Sequence, residues 1–106
     1  MLKLIFFVPE SHKESVKAAV FAEGAGQYKD YDCCSWETLG TGQFRPLSAS
    51  KPFIGKQDSL ETVAEYRVEM ICSEDKIKAA LQALILAHPY EVPAYDVHVI
   101  FSLDNF

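Results

Sequence analysis

The run Ala64-Glu65-Tyr66-Arg67-Val68-Glu69-Met70-Ile71-Cys72 constrains this chain more than any other stretch. Successive side chains of a strand point to opposite faces. Ala64, Tyr66, Val68, Met70 and Cys72 therefore share one face, while Glu65, Arg67 and Glu69 share the other. Such a strand needs a sheet covered on one side and left open on the other. The rest of the chain must supply the cover.

Two segments have the spacing to do so. Ser11-His12-Lys13-Glu14 reads as a capping box opening a helix on which Val16, Ala19 and Val20 share a face, with Gly24 and Gly26 as stop signals. Ser73-Glu74-Asp75 reads as the cap of a second helix, with Ile77, Ala80, Leu81, Leu84 and His88 on one stripe and Pro89 closing it. Leu2 to Val8 is a nearly continuous apolar run, which predicts a central strand buried on both faces. Tyr28 to Leu39, rich in aromatics, Cys and Thr, predicts a second strand. Tyr95, Val97, Val99 and Phe101 alternate with Asp96, His98, Ile100 and Ser102 in a last one. Between Gly40 and Ser59 the pattern dissolves into Gly, Pro and Ser, which predicts a long connection.

The resulting order is strand, helix, strand, long connection, strand, helix, strand. Right-handed crossovers turn it into an α+β, ferredoxin-like βαββαβ sandwich: a four-stranded antiparallel sheet with both helices on one face. The 106 residues suffice for one such domain, 1–106. On its open face the pattern places Glu65, Arg67 and Glu69, joined by Asp96 and His98. A face mixing charges with apolar side chains is a candidate subunit interface, so a homo-oligomer is expected.

Composition narrows the function classes. A net charge of −5 without a basic run argues against nucleic-acid binding. The apolar start is too short for a signal segment or a membrane span and contains Lys3, so a cytoplasmic protein without a membrane partner is expected. Three cysteines, Cys33, Cys34 and Cys72, suit free thiols in a reducing compartment. Cys33 and Cys34, as neighbours on a strand, would point to opposite faces, and no C-x-x-C pair exists for a structural zinc.

Two segments concentrate chemistry. His88-Pro89-Tyr90-Glu91-Val92-Pro93-Ala94-Tyr95-Asp96 packs imidazole, carboxylates and phenols around two prolines that stiffen it. It reads as a partial metal or anion site or, more readily from composition alone, as a connector in which His88 caps helix carbonyls while Tyr90 and Glu91 tie it to the sheet. The loop from Gly40 carries Arg45, Lys51 and Lys56 with no acidic residue before Gln57. It could cradle a small anion on Gly-flanked amides and Arg45, or it could be a solvated loop with Phe44 and Phe53 tucked against the sheet.

The strings Val8-Pro9-Glu10-Ser11-His12, Gly24-Ala25-Gly26, Tyr31-Asp32-Cys33-Cys34-Ser35-Trp36, Gly40-Thr41-Gly42-Gln43-Phe44-Arg45-Pro46, Pro52-Phe53-Ile54-Gly55 and His88 to Asp96 occur in an order that resembles the YqfO-type domain. That domain occurs alone and inserted in NIF-three-like proteins, named GTP cyclohydrolase 1 type 2 homologues. It is similar to the CutA and PII-like proteins, which are ferredoxin-like and trimeric. The resemblance implies a trimer, with a dimer as the alternative, and a loop 40–59 that contacts an effector or a partner protein. It implies no hydrolase activity, because the dinuclear metal site of the full-length proteins belongs to a flanking domain. The family often has His where Cys33 stands and Glu where Val92 stands, so a metal site at those positions would be altered here.

Sequence and resemblance together predict a non-enzymatic, self-associating module. Its candidate ligand contacts are Arg45, His88, Glu91, Cys33 and Trp36. A divalent metal ion, if one is bound, would use His88, Glu91 and Cys33. A purely structural interaction domain without ligand is the alternative, and a small metal-dependent enzyme the third.

Overall fold

The computed structural model describes residues 1–106. Strands β1 (Leu2–Val8), β2 (Trp36–Phe44), β3 (Glu61–Cys72) and β4 (Tyr95–Val99) form one antiparallel sheet in the order β2-β3-β1-β4. Helices α1 (Glu10–Ala22) and α2 (Ile77–Ala87) lie against it, and a short 3-10 turn, Leu103–Asn105, follows β4. This is the ferredoxin-like arrangement. Neither helix is long and apolar enough to cross a membrane.

The core lies where the two periodicities meet. Leu4, Phe6 and Val8 of β1 and Val68, Met70 and Cys72 of β3 pack with Val16 and Val20 of α1 and Ala80 and Leu84 of α2. The pairing Leu4↔Met70 and Ile5↔Glu69 sets the phase that the charge alternation of β3 demands. Because β4 pairs Leu4↔Val97 and Ile5↔Asp96, Asp96 and His98 join Arg67 and Glu69 on the open face, as expected. There Glu69 lies 3.8 Å from the Lys3 Nζ and 3.5 Å from the Arg67 Nε. Lys3 and Phe7 are only half-buried, so β1 is less covered on this side than a continuous apolar run suggests.

Three boundaries differ from the sequence reading, each for a physical reason. The second strand starts at Trp36, not Tyr28. Lys29 and Cys33 have φ of 52° and 54°, a left-handed backbone that cannot continue a strand, and Tyr28 and Tyr31 instead pair with each other across a tight turn. At its other end β2 runs on through Gly40–Phe44, the stretch read as loop, because β3 begins at Glu61 and pairs with it residue for residue. The β2–β3 hairpin thus outruns β1, whose pairing with β3 ends at Val8↔Tyr66, and the long connection shrinks to residues 45–60. Of the two glycines that argued against strand, Gly40 has open space beside it, and only Gly42 is placed by tertiary contact. At Gly42 a Cβ would collide with the Glu65 carboxylate lying over it.

The predicted caps also give way. Helix α1 begins at Glu10 behind Pro9, whose extended φ/ψ of −68°/154° sets the entry without a side-chain cap; the Ser11 hydroxyl bonds the His12 Nδ1 at 2.8 Å. Helix α2 begins at Ile77 after a turn closed by the Lys76 amide on the Ser73 carbonyl. Phe101 falls beyond β4 and stacks edge-on against Phe106.

Candidate functional site

Beyond the end of β1, the hairpin overhang, the 45–60 connection and the 88–94 connector meet around a cleft of about 270 Å³. Phe7, Val63 and Glu65 form its floor, Gln43 and Phe44 one side, and Pro46, Pro52, Phe53 and Ile54 of the connection another. Tyr90, Glu91 and Val92 close it.

His88 builds this corner without entering it. The residue is buried at 6% exposure. Its Nε2 lies 2.7 Å from the Phe7 carbonyl oxygen, and its Nδ1 lies 3.1 Å from the Tyr90 amide nitrogen. A carbonyl only accepts and an amide N–H only donates, so Nε2 carries the proton and Nδ1 is the bare acceptor. Burial pulls the imidazole pKa below its ordinary value, against the opposing bond to Phe7, and nearby His12 adds to the lowering. His88 is thus a neutral strut linking the end of α2, the end of β1 and the connector. The ring does not cap the carbonyls of its own helix; only the His88 backbone N–H bonds one, that of Leu84.

Tyr90, stacked on His88 with ring centroids 4.7 Å apart, carries the connector into the cleft. Its hydroxyl donates to the Glu65 Oε2 at 3.2 Å. Burial first, and then the adjacent Glu65 charge, push the phenol pKa up to about 12, so the phenol remains a donor at neutral pH. Glu91 uses Oε2 to accept the Lys51 amide at 2.8 Å, pinning the connection to the connector. Neither Glu65 nor Glu91 is ion-paired.

The structure brings only part of the predicted set together. Glu91 lines the cleft and His88 braces it. Arg45 is exposed and absent from the lining, although its neighbours Phe44 and Pro46 are part of it. Cys33 lies at the other end of the sheet, where the Cys34 amide bonds the Gly26 carbonyl and the Gly26 amide bonds the Ile71 carbonyl. Trp36, 62% exposed, sits opposite Glu69 over a shallow depression of the open face. The metal set His88, Glu91 and Cys33 is therefore corrected: both His88 nitrogens are committed, Cys33 is remote, and no three His, Cys, Asp or Glu side chains are grouped to hold an ion. Nor does Arg45 share the cleft with His88 and Glu91: no Lys, Arg or His side chain lines it. Glu65 keeps its expected place on the open face beside Arg67 and Glu69 and, at the overhang, also lines the cleft, where the Tyr90 hydroxyl bonds it. The sequence reading missed Glu65 and Tyr90 as a pair. Strand alternation shows which face Glu65 takes but not what lies over it.

Comparison with known proteins places these features. No protein-family model matches the chain. It is 42% identical over 98 residues to a GTP cyclohydrolase 1 type 2 homolog of Halalkalibacterium halodurans, covering 92% of this chain and 26% of that protein. A counterpart in Mycobacterium leprae is 44% identical over the same share. The chain thus spans about a quarter of the length of these curated relatives. Among solved structures, a Bacillus cereus protein related to NIF3 superposes with a TM-score of 0.79 at 36% identity, over 92% of this chain and 24% of that one. CutA from Xylella fastidiosa superposes with a TM-score of 0.70 at 18% identity, over 98% of this chain and 88% of CutA. The second likeness concerns the fold alone.

Proposed function

We propose, for a chain that matches the inserted domain of NIF3-related proteins and has the CutA-like fold, that it is a non-catalytic, self-associating module of the cytoplasm that holds a small ligand in the cleft above β1. The observation that carries self-association is the open sheet face. Trp36 stands 62% exposed there, beside Phe7, Arg67 and Glu69. An exposed Trp flanked by charges that already satisfy one another is the composition of an interface centre with a polar rim. Val99, Phe101, Leu103 and Phe106 at the C-terminal end are also more than two-thirds exposed and extend the apolar surface beyond one face. A trimer follows from the resemblance to CutA and PII-like proteins, and the 45–60 connection is the segment best placed to meet a partner protein.

The ligand half of the reading rests on the cleft, where two carboxylates and a phenol, with Gln43 and Ser50, line a mostly apolar hollow. The activity implied by the relatives' name belongs to proteins of which this chain spans about a quarter, and the module needs none of it. A second reading, an interaction domain without ligand, draws on the hydrogen bonds that consume His88 and occupy Glu91.

Native mass spectrometry of the purified chain, with and without added divalent metal, tests the assembly. The expected result is one oligomer, unchanged by metal, that dissociates on Trp36→Glu. A strict monomer at all concentrations would overturn self-association.

A further inference from the structure

The cleft carries information on the class of its ligand, provided that it is a ligand site as proposed above. Four of its lining residues are aromatic: Phe7, Phe44, Phe53 and Tyr90. Phe53 and Tyr90 form a tilted pair with centroids 6.2 Å apart. The two ionisable carboxyls of the lining, Glu65 and Glu91, have no cationic partner, and no basic side chain joins them. Glu65 is held in position: Gly42 leaves room for its carboxylate, and the Tyr90 hydroxyl donates to it.

Negative charge set among aromatic rings in a hollow of about 270 Å³ suits one ligand chemistry best. Anions would meet two carboxylates with nothing to offset them. A neutral apolar guest would leave the carboxylates partly desolvated and unpaired. A compact metal ion would find too few grouped donors. We infer that the cleft binds a small organic cation, an ammonium carrying alkyl groups, with Phe7, Phe44, Phe53 and Tyr90 against its apolar substituents and Glu65 and Glu91 balancing its charge. Ring quadrupoles attract such cations, and partial desolvation strengthens the attraction. The volume is at the small end for ligand sites, roughly 300–1,000 Å³, which limits the guest to a few carbon atoms beyond the head group.

Three probes of matched size separate the possibilities: choline, its uncharged isostere in which a tert-butyl group replaces the trimethylammonium, and inorganic phosphate. Each is titrated into the intact chain while backbone amide chemical shifts are followed. Choline is expected to shift the amides of residues 43–54 and 90–94 and to bind at least about tenfold more tightly than the isostere. Glu65→Gln, which keeps an acceptor for the Tyr90 hydroxyl, is expected to lower choline affinity by about fivefold or more and leave the isostere unaffected. Equal binding of choline and isostere, or shifts with phosphate alone, would overturn the cation inference while leaving the cleft a ligand site. If none of the three moves the cleft amides, the inference and the ligand reading fall together.

Discussion

Replacing His88 by Leu tests the architecture of the cleft most directly. The side chain is buried, and the substitution removes two hydrogen bonds at once: the Nε2–H to the Phe7 carbonyl at 2.7 Å and the Tyr90 amide to Nδ1 at 3.1 Å. Leucine fills much of the space but leaves a carbonyl and an amide without partners. An orphaned buried polar group costs about 1–3 kcal/mol. Tyr90 is only half-buried, so its amide recovers part of that loss from water. The net cost is about 2–4 kcal/mol, which lowers Tm by on the order of 10–20 °C in a domain near 100 residues.

The same residue carries a pH signature. Its folded pKa lies below the unfolded value because burial disfavours the cation. Between those two values the unfolded chain binds the extra proton and the folded chain does not, so stability falls as pH drops below about 6.5. The slope from this one group is at most about 1.4 kcal/mol per pH unit. A proton on Nδ1 would also face the Tyr90 N–H and break that bond. Urea unfolding between pH 7.5 and about 5, followed by circular dichroism, reads both effects. The wild type should lose stability on acidification, and the Leu variant should be weaker but lack this part of the slope. A loss under about 0.5 kcal/mol, together with an unchanged acid limb, would refute the claim that both ring nitrogens are committed.

Gly42→Ala should fold with a stability change within about 1 kcal/mol, because the group it displaces is the flexible Glu65 carboxylate. That displacement should lower the Tyr90 pKa from about 12, read by ultraviolet titration of the phenol, without returning it to an ordinary value, since burial is its larger cause. Gly26→Ala is a different case: φ is +77°, and a Cβ would lie 2.8 Å from the Phe21 ring and 2.9 Å from the Cys34 carbonyl. It should cost about 2–4 kcal/mol in chemical denaturation and loosen the turn that carries Cys33. Iodoacetamide should label exposed Cys33 in the native chain and spare Cys72, which is buried and whose thiol pKa is pushed up by burial and by Asp75, until the chain unfolds. Mass spectrometry of tryptic peptides reads the order.

What the sequence could determine by itself follows from periodicity. Alternation in β3 and the i, i+3, i+4 stripe of α2 are local patterns with one geometric solution each. They were enough for the element order, the ferredoxin-like class and the open face bearing Arg67, Glu69, Asp96 and His98. Tertiary structure decided the rest, because the deciding contacts join residues far apart in the chain. Gly40 to Phe44 became strand only through its register with β3, which no propensity of Gly-Thr-Gly-Gln would suggest. His88 was legible as a special residue at the end of α2. Its role was set by the carbonyl of Phe7, 81 positions away, which turned a candidate ligand into a strut. Arg45 and Cys33 lost their places for the same reason. Spacing along a chain orders side chains on a face, but only the packing of the hairpin, the connection and the connector decides which of them share a hollow. Here that packing left two carboxylates among aromatic rings and every basic side chain outside.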